Sequence, residues 1–358
     1  MSILVLSQTY PSETSPYQMM YVHNRCSEYI KLGHSVTVLS FSAKEPYEFK
    51  GVNVVTEKYF YENLSIRDFT SVVSHAPNVR NGFRFLYKYK PKNIILFIHG
   101  HEALNYLNYY PGEYTDRKVR NKLIVKLSKI FRYIYEKIKL RVFNIFVRRF
   151  SRCLKIVFVS DWMRRHYIKN VGELPHAVSN AIIPNSCNQC FFTNSWNCGD
   201  KEYDFVSIRP LSGRKYAVDV IVDLANKYPK LKFALYGKGN AFKYINKPDN
   251  LDVFEIFVQP EQIPDILDRA KFALMPTRLD AQGVMMCEMA TYGIPLITSD
   301  ISVCKEVFQS FDNVFFINNE NPSFDFDLTY EYGSGVREVN YSFHPKVLAN
   351  RELDFIIG

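Results

Sequence analysis

Short apolar runs alternate along the chain with stretches of helical period, and the alternation predicts a succession of strands and helices. Residues 3–7 read as a strand, 8–16 as a polar loop, 17–32 as a helix ended by Gly33, and 34–41 as the next strand. This is a βαβ opening whose first loop holds no glycine, so the dinucleotide fingerprint is absent. Residues 45–91 read as irregular, with a short strand near 52–56 and aromatic, basic content around 84–92. The continuous run 93–98 predicts a buried parallel strand that delivers His99, Gly100, His101 and Glu102 at its carboxyl end. A strand at 155–160 and a helix at 161–170 follow.

Between 187 and 200 the chain is rich in Asn, Cys and Ser without period, as a linker is. The pattern divides the chain into a first domain, 1–186, a second, 187–340, and a terminal helix within 341–358 that returns to the first. The second domain opens with a strand at 203–208, the loop carrying Arg209, Arg214 and Lys215, and a helix at 218–227. A strand at 231–236 ends in Gly237-Lys238-Gly239, and a strand at 253–258, a helix at 263–270 and a strand at 272–276 come next. In 275–300, MPTRLDAQGVMMCEMATYGIPLITSD, a polar loop leads into a helix opened at Gly283 and stopped by Gly293 and Pro295; 294–298 is then a buried strand. The fold class is α/β, with parallel sheets.

At 358 residues and 47% hydrophobic content the chain can fill two cores. Its seven cysteines include one close pair, Cys187 and Cys190, with no companion pair or nearby His, which points to reduced thiols and no metal site. The N-terminus lacks a basic region and an apolar core long enough for a signal peptide, and no apolar run has the length of a membrane span, so a cytoplasmic location is expected.

Charge changes the picture at one place. The chain carries a net +9, yet residues 117–155 hold fourteen Lys or Arg against the single acid Glu136, so the rest nets −4. Leu123, Leu127, Ile130, Ile134 and Ile138 recur there at helical spacing beside Lys122, Lys126, Lys129 and Lys137. The pattern fits an amphipathic helix on the anionic inner face of a membrane; the ordinary alternative is a solvated helix packed by its apolar side on the first sheet. No nucleic-acid motif accompanies it, and no nucleic acid is expected as a partner.

Candidate chemistry gathers where strands end. In an open α/β sheet ligands bind beyond the carboxyl ends of strands, and the unpaired N–H groups of a helix start favour a phosphate. The helix opened at Gly283 stands in such a place, with Asp280 before it and Glu288 within it. These acids are too far apart to share a proton and read as two contacts along one extended ligand, or as a loop carboxylate capping the helix with Glu288 solvated. Arg209, Arg214 and Lys215 suit a diphosphate. His99 or His101 are candidates after the strand at 93–98, or are surface imidazoles.

Asp280, Gly283, Glu288, Gly293, Pro295, Ser299 and Asp300 fall on a signature that resembles the donor-binding segment of glycosyltransferase family 4, with Asp280 where Glu is usual and Gln282 where Phe is usual. The opening YP…GHSVTVLS, the VSDWMRRHY segment and the IPNS turn resemble other parts of that family, although Ser12, Thr14 and Ser15 stand where many members carry Gly-Gly. The resemblance implies the GT-B fold, two Rossmann-like doubly wound domains facing across a cleft, and a retaining, metal-independent hexosyltransferase. It implies Glu288 on the ribose, Arg209 with Lys215 or Arg214 on the diphosphate, Gly237 and Gly239 close to the nucleotide, Gln282, Gly283 and Val284 at the phosphate-binding helix start, and His99 and Asp280 around the sugar. No cofactor is implied beyond a nucleoside-diphosphate sugar as donor, UDP-sugar favoured. The acceptor implied is a saccharide or lipid-linked glycan of a bacterial surface polysaccharide such as O-antigen, capsule or exopolysaccharide. A nucleotide-sugar epimerase, or a non-catalytic membrane or nucleic-acid binding protein on the same fold, are the alternatives.

Overall fold

The computed structural model describes residues 1–15, 18–114, 122–197, 199–324 and 339–358, with side chains from residue 128 onward in the helix Lys122–Arg149. The predicted helix start at 17, Cys198 and the side chains of Leu123, Leu127, Lys122 and Lys126 lie outside the described residues. The chain divides into two compact units. One comprises Met1–Asn108, Leu127–Ser186 and Pro345–Gly358; the other comprises Tyr109–Lys126 and Cys187–His344.

The first unit is built on an eight-stranded sheet of β1 (Ser2–Ser7), β2 (Ser35–Ser40), β3 (Tyr47–Phe49), β4 (Val52–Val55), β5 (Ser71–His75), β6 (Ile94–Ile98), β7 (Leu154–Phe158) and β8 (Ser179–Ile182), in the order β3-β4-β2-β1-β5-β6-β7-β8. All neighbours pair parallel except β3 with β4. Strands β5 and β6 are buried along their whole length, as parallel strands covered on both faces must be. The expectation of irregular chain over 45–91 is corrected here. SVVSH reads as loop because three of its five residues are polar, yet β5 is a central strand, and Ser71, Ser74 and His75 are all buried. Helix Gly82–Tyr89 was hidden by its aromatic and basic alternation; it buries Phe83, Phe85 and Leu86. The strand near 52–56 stops one residue early, because the Thr56 hydroxyl accepts the Tyr59 N–H at 3.0 Å and caps helix Glu57–Asn63.

Helix Pro345–Ile357 completes this unit. Its Glu352 accepts from Arg25 Nε at 2.7 Å and from Tyr29 Oη at 2.5 Å, while Arg25 Nη1 reaches Asn185 Oδ1 at 2.9 Å. Arg25 and Glu352 are both buried, so the pair is satisfied on several sides and neither charge is left bare.

The second unit has a six-stranded, all-parallel sheet of β9 (Tyr203–Ile208), β10 (Phe233–Tyr236), β11 (Leu251–Phe254), β12 (Ala270–Met275), β13 (Leu296–Ser299) and β14 (Val314–Ile317), in the order β11-β10-β9-β12-β13-β14. Strand β11 lies two residues earlier than its pattern predicts, and β14 extends the sheet beyond the last predicted strand. The chain runs outward from β9 to β10 and β11 and then returns to β12 on the other side. That reversal opens a crevice between the loops after β9 and β12.

Candidate functional site

The crevice of the second unit is lined from both sides by residues with unusual surroundings. Arg209 follows β9 and is 6% exposed. Its Nη1 donates to the carbonyls of Tyr216 and Pro276, and its Nη2 lies 3.5 Å from Met275 Sδ. Its Nε has no partner, and among the described residues no carboxylate stands within ion-pair distance of it. Burial lowers its pKa to about 10, so it stays charged at neutral pH. A buried cation held by neutral carbonyls costs several kcal/mol unless an anion joins it.

The opposite wall is the loop between β12 and helix Val284–Tyr292. The side chain of Ser299, at the end of β13, accepts the Thr277 N–H at 2.7 Å, and Asn319 Nδ2 reaches the Thr277 carbonyl at 3.0 Å, so the loop is pinned where it leaves the sheet. Asp280, half-buried, turns Oδ1 onto the N–H groups of Ala281 and Gln282 at 2.8 and 3.2 Å. Gly283 takes φ +76°, a conformation other residues adopt only with strain, and it lets the chain enter the helix at once. Among the described residues no side chain caps this helix, so the N–H groups that begin at Val284 keep free donors and partial positive charge. Gln282 is buried, with Nε2 at 3.7 Å from Cys287 Sγ, and packs inward.

Glu288 lies further along the same helix and is 7% exposed. Its Oε1 accepts the Asn188 N–H at 3.0 Å. Burial pushes its pKa up to about 7, only partly offset by that hydrogen bond. The carboxyl is therefore poised between its charged and neutral forms and has capacity for hydroxyl donors.

The two basic residues of the β9 loop have different partners. Arg214 Nη2 is 3.7 Å from Asp219 Oδ2, and its guanidinium lies over the Tyr114 ring. Asp219 also receives both Nη groups of Arg278, at 2.7 and 3.0 Å, and the Tyr114 hydroxyl at 2.9 Å. Burial raises the Asp219 pKa, but Arg278 and Tyr114 more than reverse this and hold it below the usual carboxylate range. Lys215 has no carboxylate within ion-pair distance among the described residues; its Nζ lies 4.6 Å from the Tyr216 ring centre. The Tyr114–Asp219–Arg278 lock was missed in the sequence, where Tyr114 and Arg278 carry no local signal. The only hint was an acid in the first turn of helix Val218–Lys227.

Gly237 and Gly239 follow β10. A side chain on Gly237, at φ +151°, would collide with the Arg209 carbonyl, and one on Gly239 would stand 2.6 Å from Ser212 N. They let two loops of the unit meet backbone to backbone. That reason differs from the approach to a nucleotide inferred from the resemblance.

In the first unit, His99 follows β6 and is partly buried. Its backbone N–H and that of Gly100 donate to Glu102, whose side chain is buried, and this fixes the loop. Its Nε2 is 3.1 Å from Nδ1 of His75, at the end of β5, and the Tyr21 ring lies against it, tilted by 52°, with centroids 4.6 Å apart. His101 is exposed and meets Glu102 at 3.4 Å. Helix Lys122–Arg149 packs inward with Leu140, Phe143, Phe146 and Val147. Its one acid, Glu136, is buried against Lys139 at 2.8 Å, and Lys139 also donates to the carbonyls of His101 and Leu104. The predicted stripe faces the other way. Ile130, Ile134 and Ile138 are about half exposed, together with Phe131, Tyr133, Lys129 and Lys137, so the helix does not pack on its sheet through that stripe. Among the described residues no helix is long and apolar enough to cross a membrane.

Residues 192–323 match the family model described as glycosyl transferases group 1. The chain is 26% identical over 186 residues to the O-antigen biosynthesis glycosyltransferase WclY of Escherichia coli; the match covers 49% of this chain and 51% of WclY, about half the length of that relative. Among solved structures it resembles the sucrose-phosphate synthase of Thermosynechococcus elongatus (TM-score 0.61, 11% identity, 89% of this chain and 86% of that one). It also resembles Anabaena HepE in complex with UDP and glucose (TM-score 0.59, 10% identity, 88% and 85%). WaaG, a glycosyltransferase involved in lipopolysaccharide biosynthesis, gives a TM-score of 0.57 at 13% identity over 100% and 91%. The two sheets match the fold of GT-B glycosyltransferase structures, and the segment that matches the glycosyl transferases group 1 model is the one that holds Arg209, Lys215, Asp280 and Glu288.

Proposed function

We propose that the protein is a glycosyltransferase of family 4 that moves a sugar from a nucleoside diphosphate to a glycan of a bacterial surface polysaccharide. The observation that carries this reading is Arg209, a buried guanidinium without a carboxylate, at the crevice beside an uncapped helix start. A diphosphate is the anion that suits it, and a UDP-sugar is favoured because HepE was solved with UDP and glucose. In this reading Arg209, Lys215 and the helix that begins at Val284 neutralise the charge growing on the leaving diphosphate, which removes the need for a metal ion. Glu288 accepts from the ribose hydroxyls, and Asp280 and His99 belong to the transferred sugar. The acceptor attacks from the face that the diphosphate leaves, so the anomeric configuration is retained.

The likeness to WclY supports an O-antigen type of glycan as acceptor. The half-exposed isoleucines and lysines of helix Lys122–Arg149 favour an anionic membrane surface on the cytoplasmic side, where a lipid-linked acceptor would be held. The test is to incubate the chain with UDP-, GDP-, ADP- and dTDP-sugars, with and without a lipid-linked glycan extract and with and without EDTA. Release of one nucleoside diphosphate that requires the extract and survives EDTA is expected. Acceptor-independent formation of a new sugar nucleotide would indicate an epimerase instead, and no turnover with any donor would refute the reading.

A further inference from the structure

His75 is a buried, titratable group that the proposed chemistry does not use. It ends β5, is 2% exposed, and lies against the Phe97 ring with centroids 4.5 Å apart. Its Nδ1 stands 3.1 Å from Nε2 of His99, while its own Nε2 is buried without a partner among the described residues. Burial comes first in pushing both imidazoles well below their ordinary pKa, and the Arg25 charge adds to it, so both rings are neutral at pH 7.

Two neutral imidazoles in contact share one proton along the line between them, and only two arrangements exist. If His99 Nε2–H donated, His75 would keep its proton on Nε2, a buried N–H with nothing to receive it. If His75 Nδ1–H donates, the bare atom on His75 is a lone pair instead. Orphaned buried N–H groups are the rarer and costlier defect. The second arrangement puts the proton of His99 on Nδ1, the nitrogen turned away from His75.

We propose that His75 is a positioning residue that holds His99 as the Nδ1–H tautomer, so that His99 offers its ligand a hydrogen-bond donor and not a base. The step rests on the assignment of His99 to the transferred sugar, where a fixed N–H suits a hydroxyl or ring oxygen. The pair is arranged within one unit by the pairing of β5 with β6, in which His75 stands opposite Phe97, two residues before His99.

The experiment is long-range proton–nitrogen correlation on the full chain labelled with 15N-histidine, with His99 assigned by loss of its signals in His99→Ala. His75→Asn keeps an N–H donor near the Nδ1 position, and His75→Leu removes it. The wild type and His75→Asn should both show His99 protonated on Nδ1 and bare on Nε2, whereas His75→Leu should move the proton to Nε2. With UDP-glucose as probe donor, His75→Leu should lower kcat about tenfold and His75→Asn should restore most of it. Protonation of His99 on Nε2 in the wild type, or an unchanged tautomer in His75→Leu, would overturn the proposal. A tautomer that shifts as described in a protein without turnover on any donor would refute the glycosyltransferase reading and leave the role of His75 standing.

Discussion

Glu288→Gln separates what the second unit needs to fold from what its site needs to bind. The Glu288 carboxyl has a pKa raised from 4.5 to about 7 by burial. Between those values the native carboxyl keeps a proton that the unfolded one has released, so stability falls as pH rises across that window, and the loss is complete above it. At about 1.4 kcal/mol per pH unit the interval is worth roughly 3 kcal/mol. Gln, like the neutral carboxyl, keeps an oxygen to accept the Asn188 N–H, and the stronger bond that the charged carboxylate makes is already contained in the raised pKa. The variant should therefore be more stable than wild type by roughly 3 kcal/mol at pH 8.5, with the advantage gone at pH 4.5. Urea unfolding in a Trp162→Phe background reads this directly. Trp196, whose Nε1 donates to the Ala270 carbonyl and whose backbone N–H meets Tyr292 at the end of the Glu288 helix, then reports the second unit alone. Equal stability at both pH values, or a variant weaker at pH 8.5, would show that Glu288 is not held against a burial cost.

Four other outcomes follow from the contacts described. Gly239→Ala should destabilise the second unit by a few kcal/mol, because the new methyl meets backbone at Ser212 that has no freedom to give; an unchanged melting temperature would contradict this. Glu352→Ala leaves Arg25 buried and unpaired, and denaturant unfolding should show a loss of about 3–5 kcal/mol in the first unit. Reversing Lys129 and Lys137 to Glu should weaken sedimentation with phosphatidylserine vesicles by about 1 kcal/mol or more per site, and binding that is insensitive to both changes would remove the membrane surface from the account. Asp219→Asn should free Arg278 and Arg214 together and lower the affinity for a nucleoside diphosphate while leaving the sheet intact, as far-ultraviolet circular dichroism would show.

The parallel architecture was legible because β1, β6 and β12 hold unbroken apolar runs, Ile3–Leu6, Ile94–Ile98 and Phe272–Met275, and such runs signal strands buried on both faces. β5 was not legible because its burial depends on polar side chains that find partners only in the folded sheet, as Ser71 does with Asn93 Nδ2 at 2.9 Å. The same strand hid His75, whose relation to His99 is a matter of strand pairing and not of spacing. The β9 loop could be recognised as basic, but which cation stays without a carboxylate is decided by Asp219, Arg278 and Tyr114, drawn from three separated segments. The basic helix shows the same limit. Its amphipathic stripe was visible, whereas the face that packs, through Leu140, Phe143, Phe146 and Val147, is a second stripe that periodicity alone does not rank.

Calorimetric titration of UDP, GDP and ADP into wild type and Arg209→Met, each in EDTA, tests whether the second unit holds a nucleoside diphosphate through Arg209. Saturable binding of one diphosphate to the wild type in EDTA, lost in an Arg209→Met protein that still melts cooperatively, is expected. Equal affinity in the two proteins, or binding that needs a divalent cation, would contradict it.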